Sequence, residues 1–275
     1  MRAGFLGPAG TFSEEALLAT APPDTEPVPF ATVDAVVRAV AGGEVARGLV
    51  PIESATEGSV DATLDALAGA PGVAIAGEVV RPIAHALIAS AERPLREIAT
   101  VASHPQALAQ CAEFLRTALP GAAQVAWSST AEAVREVAAR PEPWAAVGTR
   151  RAAELYGCAV LRERIEDHPG NVTRFVWLAP AGSEPAAGPP WKTSLLFWGA
   201  GDGQPGWLVR CLSEFAFRGV NLTRIESRPR KDRLGRYLFF VDLDGGTGEE
   251  PVAAAAEGLR AHCDEVRVLG SYRAA

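Results

Sequence analysis

Apolar residues in the first 180 positions follow two spacings that take turns along the chain. Short runs at 3–6, 48–52, 73–88 (interrupted at Arg81-Pro82), 125–127, 145–147 and 159–165 predict strands. Between them the spacing is helical. One helix starts near Ser13. A second carries Val33, Val36, Val37 and Val40 and stops at Gly42-Gly43, and a third is striped by Val60, Leu64 and Leu67. Further helices open at Ser103 and Ser129, and another covers 150–156. Thr11 with Glu14, Ser103 with Gln106, and Ser129 with Glu132 have the spacing of capping boxes. Regular β-α alternation predicts an α/β fold with a largely parallel sheet. The break at Pro82 favours two lobes, about 1–78 with 164–180 and 79–163.

Periodicity stops at PAGSEPAAGPP, a proline- and glycine-rich stretch that reads as a linker over 181–190. Beyond it, strand 193–198 leads into a helix striped by Leu208, Cys211, Leu212 and Phe215. Strands 220–227 and 236–243, helix 251–262 and strand 266–271 follow. The order β-α-β-β-α-β over 191–275 is the ferredoxin-like pattern.

Composition narrows the function classes. The 275 residues are 48% hydrophobic and 21% charged, as expected of a soluble globular chain. A net charge of −7, with no basic tract beyond 228–233, argues against nucleic acid as a partner. No run approaches the ~18 apolar residues of a membrane span, and the start is too short and glycine-rich for a secretory signal. The four cysteines, Cys111, Cys158, Cys211 and Cys263, lie far apart and read as buried thiols in a reducing cytoplasm. The four histidines have no metal-ligand spacing, so neither metal nor cofactor is expected.

Candidate chemistry concentrates at Asn171-Val172-Thr173-Arg174-Phe175, a polar interruption where the apolar run 175–178 begins. Strand alternation puts Asn171, Thr173 and Phe175 on one face and Arg174 on the other. An isolated threonine is most often an ordinary β-branched strand residue. Asn171-Val172-Thr173 also has sequon spacing, but nothing in the sequence suggests export. Three further polar loops fall at strand-to-helix junctions, where open α/β sheets place their sites. Gly7-Pro8-Ala9-Gly10-Thr11-Phe12-Ser13 offers a helix N-terminus to an anion, but lacks dinucleotide and P-loop spacing. Glu53-Ser54-Ala55-Thr56-Glu57-Gly58-Ser59 gathers carboxylates and hydroxyls, and Ser103-His104-Pro105-Gln106 opens a helix. Each has an ordinary use as a cap or turn.

Taken together, these pieces resemble one family, prephenate dehydratase with a C-terminal ACT regulatory domain. GPAGTFSEEA at 7–16 is similar to the family's N-terminal motif, and VPIESATEGSV at 50–60 to its PIENS-type loop. SHPQALAQC at 103–111 and NVTRF at 171–175 match the remaining two, and NLTRIESRP at 221–229 resembles the ACT effector motif. Ser54 stands where the family has Asn, Ala55 where it has Ser or Thr, and Trp207 where it has Ala.

The resemblance implies a two-lobed, periplasmic-binding-protein-like catalytic region with a cleft over 1–180, and an ACT domain over 191–275. It implies the monofunctional, cytoplasmic type, a lyase converting prephenate to phenylpyruvate. Thr173 would donate a hydrogen bond to the departing oxygen, with the proton relayed from water or Glu53. Arg174, or the helix N-termini after Gly10 and Gly58, would anchor the pyruvyl carboxylate. Phe175 would supply apolar surroundings for the departing carboxylate. Thr11, Ser13, Ser54, Gln106 and Asn171 would bind substrate. Gly206, Leu208, Asn221, Leu222, Glu226 and Ser227 would bind an L-phenylalanine effector, in a homodimer or homotetramer. Arogenate dehydratase and a non-catalytic amino-acid-binding ACT protein stand as alternatives.

Overall fold

The chain starts with β1 (Arg2–Leu6), α1 (Phe12–Thr20), β2 (Glu26–Phe30) and α2 (Val33–Ala41). Next come β3 (Arg47–Ser54), the two-residue β4 (Gly58–Ser59), α3 (Asp61–Gly69), β5 (Val73–Pro82) and β6 (Ala86–Ala89). They are followed by β7 (Thr100–Ser103), α4 (Pro105–Gln110), α5 (Ala112–Ala118), β8 (Ala123–Ala126), α6 (Thr130–Ala138) and β9 (Trp144–Gly148). Then come α7 (Arg150–Tyr156), β10 (Ala159–Arg162), β11 (Val172–Pro180), β12 (Trp191–Trp198) and α8 (Trp207–Ala216). β13 (Leu222–Pro229), β14 (Tyr237–Asp244), α9 (Glu250–Arg260) and β15 (Glu265–Arg273) complete the chain. The computed structural model describes residues 1–183 and 188–275, without the side chains of Ala200 and Asp202. Residues 184–187 of the expected linker lie outside the described residues.

Two compact units form, one of Met1–Thr32, Ser54–Gly58 and Val80–Thr173, the other of Val33–Glu53, Ser59–Val79 and Arg174–Ala275. The first holds a five-stranded sheet in the order β10-β6-β9-β7-β8. Alternation sends Leu87, Val101, Ala145 and Val147 to one core with Leu108 and Leu115. Ile88, Ala102 and Ala146 go to a second core, with Val134, Val137 and Ala152. Both faces are therefore covered by helices, which is why these strands read as continuous apolar runs. The sheet is mixed where the alternation predicts largely parallel. β7 runs parallel to β8 and β9, but β6 is antiparallel to β9 and β10. The chain enters β6 through residues 83–85 from β5, a strand of another sheet, so no β-α-β crossover sets its direction.

Thr11, Ser129 and Thr149 cap α1, α6 and α7 through their hydroxyls. At α4 the cap is His104, not Ser103. The Gln106 N–H donates to His104 Nδ1 at 3.3 Å, while the Ser103 hydroxyl donates to the Val147 carbonyl.

In the second unit β11 lies between β3 and β5. The same unit holds a four-stranded antiparallel sheet in the order β13-β14-β12-β15, the ferredoxin-like arrangement. One face carries Leu195, Phe197, Val241 and Leu243 under Trp207, Cys211, Phe215 and Leu259 of α8 and α9. Its other face is polar near the middle. Register sets Asp242 between Ser194 and Arg224, so three neighbouring strands place polar side chains side by side.

Candidate active site

The structure gathers polar side chains in two clusters, one in each unit. In the first unit the loop after β3 is pinned to β11, the Ala55 N–H donating to the Val172 carbonyl at 2.9 Å. This brings Thr56 Oγ1 to Asn171 Oδ1 and Gln110 Nε2, each at 3.3 Å, and to Ser54 Oγ at 3.1 Å. Asn171 Nδ2 donates to Gln110 Oε1 at 3.3 Å, and His85 Nε2 lies 2.9 Å from the same oxygen. That oxygen only accepts, so a neutral His85 carries its proton on Nε2. Its Nδ1 is buried without a hydrogen-bond partner among the described residues. Thr173 is partly buried at the end of this unit, and its hydroxyl has no partner among the described residues.

Of the expected substrate residues, Ser54 and Asn171 thus share one network. Gln106 does not join it. That residue is exposed, and the amide in the network is Gln110, one helical turn further on. Thr11 is taken up as a cap, its hydroxyl donating to the Leu6 carbonyl at 3.1 Å. Ser13 is buried with no hydrogen bond among the described residues. The N-terminus of α1 is not open to an anion either. Glu14, itself buried, accepts from the Gly10 N–H at 2.6 Å and supplies the negative charge that position favours.

His85 gives this cluster a pH signature. Burial holds its imidazole below the ordinary 6.5, against the opposing effects of Gln110 and Glu166. As pH falls below 6.5 the unfolded chain takes up the proton first. Stability present above 6.5 is therefore lost as pH falls towards the lowered folded value, at up to about 1.4 kcal/mol per pH unit. Urea unfolding of wild type and His85→Gln at pH 7.5 and 5.5 checks this. Wild type should lose more stability than the variant, and equal losses would rule the effect out.

In the second unit Arg174 is buried and meets three carboxylates. Its Nη2 lies 2.5 Å from Asp242 Oδ2, Nη1 3.1 Å from Glu78 Oε2, and Nε 3.1 Å from Glu53 Oε2. The last is an ion pair without hydrogen-bond alignment, since Nε has no hydrogen-bond partner among the described residues. Lys192 Nζ donates to Glu78 Oε1 at 2.6 Å, and Ser194 Oγ to Asp242 Oδ1 at 2.6 Å. Burial alone would lower the Arg174 pKa, but Asp242 and the carboxylates around it hold it above its usual value. Arg174 keeps Asp242 low in turn, overcoming the opposite pull of burial. An arginine so neutralised is no anchor for a substrate carboxylate, which corrects the role inferred from its sequence. Phe175 is fully buried in packed core, and Glu53 is tied to Arg174.

The expected effector residues fall in different surroundings. Gly206, with φ +77°, starts α8 beside a depression of about 300 Å³, lined also by Trp207, Leu208, Tyr237 and Phe239. Trp207 is buried against Phe197 and Phe239, its indole N–H donating to the His262 carbonyl at 2.7 Å. Leu222 packs on the same core, and the Asn221 amide donates to Asp244 at 2.8 Å. Glu226 and Ser227 point to opposite faces of β13, as consecutive strand residues must. Glu226 accepts from Ser59 at 2.7 Å, and Ser227 is exposed. One pocket cannot hold both.

The sequence profile of the family described as prephenate dehydratase matches residues 3–183. This chain belongs to the prephenate dehydratase family. The prephenate dehydratase of Amycolatopsis methanolica is 39% identical over 280 residues, 98% of this chain and 88% of that protein. The structure of the Arthrobacter aurescens prephenate dehydratase in complex with L-Phe aligns with a TM-score of 0.92 at 37% identity. That alignment covers 100% of this chain and 90% of the other. GqqA, described as a quorum quenching acylase, aligns with a TM-score of 0.89 at 29% identity, covering 100% and 98%.

Against the prephenate dehydratase pattern, Ser54 keeps its hydroxyl within its own loop, bonded to the Thr56 hydroxyl and N–H. Thr56, Gln110 and His85 are the network members that the motif reading passed over. Gln110 lies inside the SHPQALAQC motif, one turn past the glutamine that drew notice. In the second unit Glu78, Lys192 and Asp242 carried no motif signal at all.

Proposed function

We infer that this chain removes water and carbon dioxide from prephenate and releases phenylpyruvate. The observation that carries the reading is a polar network built from three family motifs, next to a threonine whose hydroxyl has no partner among the described residues. Aromatisation supplies the driving force, so the difficulty lies in expelling hydroxide. A threonine hydroxyl is too weak an acid to hand over a proton outright at neutral pH, but it stabilises the leaving oxygen by donating a hydrogen bond. Thr173 takes that role. The amides of Asn171 and Gln110 and the hydroxyls of Ser54 and Thr56 orient polar groups of the substrate, and Ser13 offers one more hydroxyl.

L-Phenylalanine, which the Arthrobacter relative binds, fits the depression beside Gly206 and Leu208 in size and apolar lining. Ser227 lies on the strand at the sheet edge and Asn221 just before it, where pairing with a second copy would remove unpaired backbone groups. Exposed Ile225 on that strand, Val209 on α8 and Phe217 just past the end of α8 favour such pairing into a homodimer or homotetramer.

Purified protein mixed with prephenate should yield phenylpyruvate, with arogenate and an N-acyl amide as comparison substrates. Saturating phenylalanine should lower the rate and shift the sedimentation of the assembly. No product from prephenate refutes the activity, and unchanged kinetics and sedimentation refute the effector role.

A further inference from the structure

Arg174 follows Thr173 in β11, and its strongest partner lies 68 residues further on, in the ferredoxin-like sheet. Asp242 is 2% exposed, an unusual place for a carboxylate unless it is paired. One oxygen, Oδ1, accepts from Ser194, whose hydroxyl lies 2.8 Å from the buried Tyr272 hydroxyl. The other, Oδ2, takes Arg174 at 2.5 Å and faces Arg224 at 3.6 Å. Both oxygens are thus fixed, and the aspartate is a rigid anchor for the guanidinium. Glu78, its side chain 1% exposed, fixes the other arm and is itself held by Lys192. Far more is invested here than core packing requires, since apolar residues of similar volume generally serve stability as well or better.

We propose that Asp242 is a positioning residue for the reaction: it fixes Arg174 and through it the strand register that presents the Thr173 hydroxyl. The proposal rests on the dehydratase reading above and adds to it a carboxylate from the ferredoxin-like sheet. A line of contacts also ties this anchor to the expected effector strand. Arg224 Nη2 donates to Ser59 Oγ at 2.6 Å, and Ser59 donates to Glu226. A shift of β13 therefore bears on the partner of Arg174.

The test is steady-state kinetics of Asp242→Asn, which keeps the shape and the Ser194 contact but removes the charge. Turnover should fall roughly 10- to 100-fold, the scale of a small misplacement, with KM for prephenate within about twofold. Asp242→Glu should recover part of the loss, a rescue that a merely stabilising residue would not give to kcat in protein that is already fully folded. Should Asp242→Asn not fold, Ser194→Ala loosens the same carboxylate, and a fall of about threefold or more in kcat is expected. Folded Asp242→Asn, or failing that Ser194→Ala, with wild-type kcat overturns the proposal. Wild-type protein that does not turn over prephenate overturns the dehydratase reading instead.

Discussion

Replacing Thr173 by alanine is expected to lower turnover of prephenate by about 10²–10³ while the fold stays intact. The size is that of one hydrogen-bond donor aimed at charge that develops only in the transition state. Binding energy realised in the ground state should change little, so kcat falls and KM does not. The structural cost is small because the hydroxyl makes no hydrogen bond among the described residues and the residue is not fully buried. Circular dichroism and thermal melting should superimpose on wild type. Serine, which keeps the donor but frees its rotamer, should retain more activity than alanine. An alanine variant with most of the wild-type rate would show that the oxygen leaves with help from another group.

Arg174→Met is expected to destabilise the protein by about 3–5 kcal/mol. Methionine fills much of the arginine stem's volume, so the loss is electrostatic: Glu78 and Asp242 are left buried without their shared cation. The pH dependence distinguishes this from lost packing. In wild type the Asp242 pKa lies below the ordinary 3.8, so its contribution is fully present above 3.8 and is lost as pH falls through the lowered value. In the variant, burial opposed only by the more distant Arg224 and by Ser194 drives the same carboxyl upward and favours its neutral form. The gap between variant and wild type should therefore narrow as pH is lowered towards 4. Guanidinium unfolding across that range measures it, and a gap independent of pH would assign the loss to packing alone.

What could be read from the sequence was local. The α7 segment Arg150–Tyr156 and the caps Thr11 and Ser129 follow from spacing within four residues, and they form as expected. The β-α-β-β-α-β order after the linker followed from periodicity for the same reason. β2 was missed because Glu26-Pro27-Val28-Pro29-Phe30 alternates proline with other residues, a pattern that argues against a strand. It is tolerated because β2 ends its sheet and needs N–H donors on one side only. His104 took the capping position from Ser103 because β7, a strand the periodicity did not show, extends through Ser103 and its ladder claims the serine.

The site was legible only where chemistry and motif coincide. Asn171 and Thr173 stood out, but the partners of Asn171 lie 61 and 115 residues away in sequence. The carboxylates around Arg174 could not be foreseen, because all three are distant in sequence, Glu78 and Asp242 by 96 and 68 residues and Glu53 by more. One of them belongs to a strand whose pattern, Tyr-Leu-Phe-Phe-Val-Asp-Leu-Asp, reads as plain hydrophobic core.

The shared guanidinium also limits how this protein could be taken apart. Cutting the chain in the linker would strand Arg174 beside Glu53 and Glu78 without Asp242, and would remove Lys192 from Glu78. The N-terminal fragment would inherit two carboxylates against one cation. Exchanging the C-terminal segment with that of another protein should succeed only when an acid travels to the position of residue 242, whatever small molecule the incoming segment recognises.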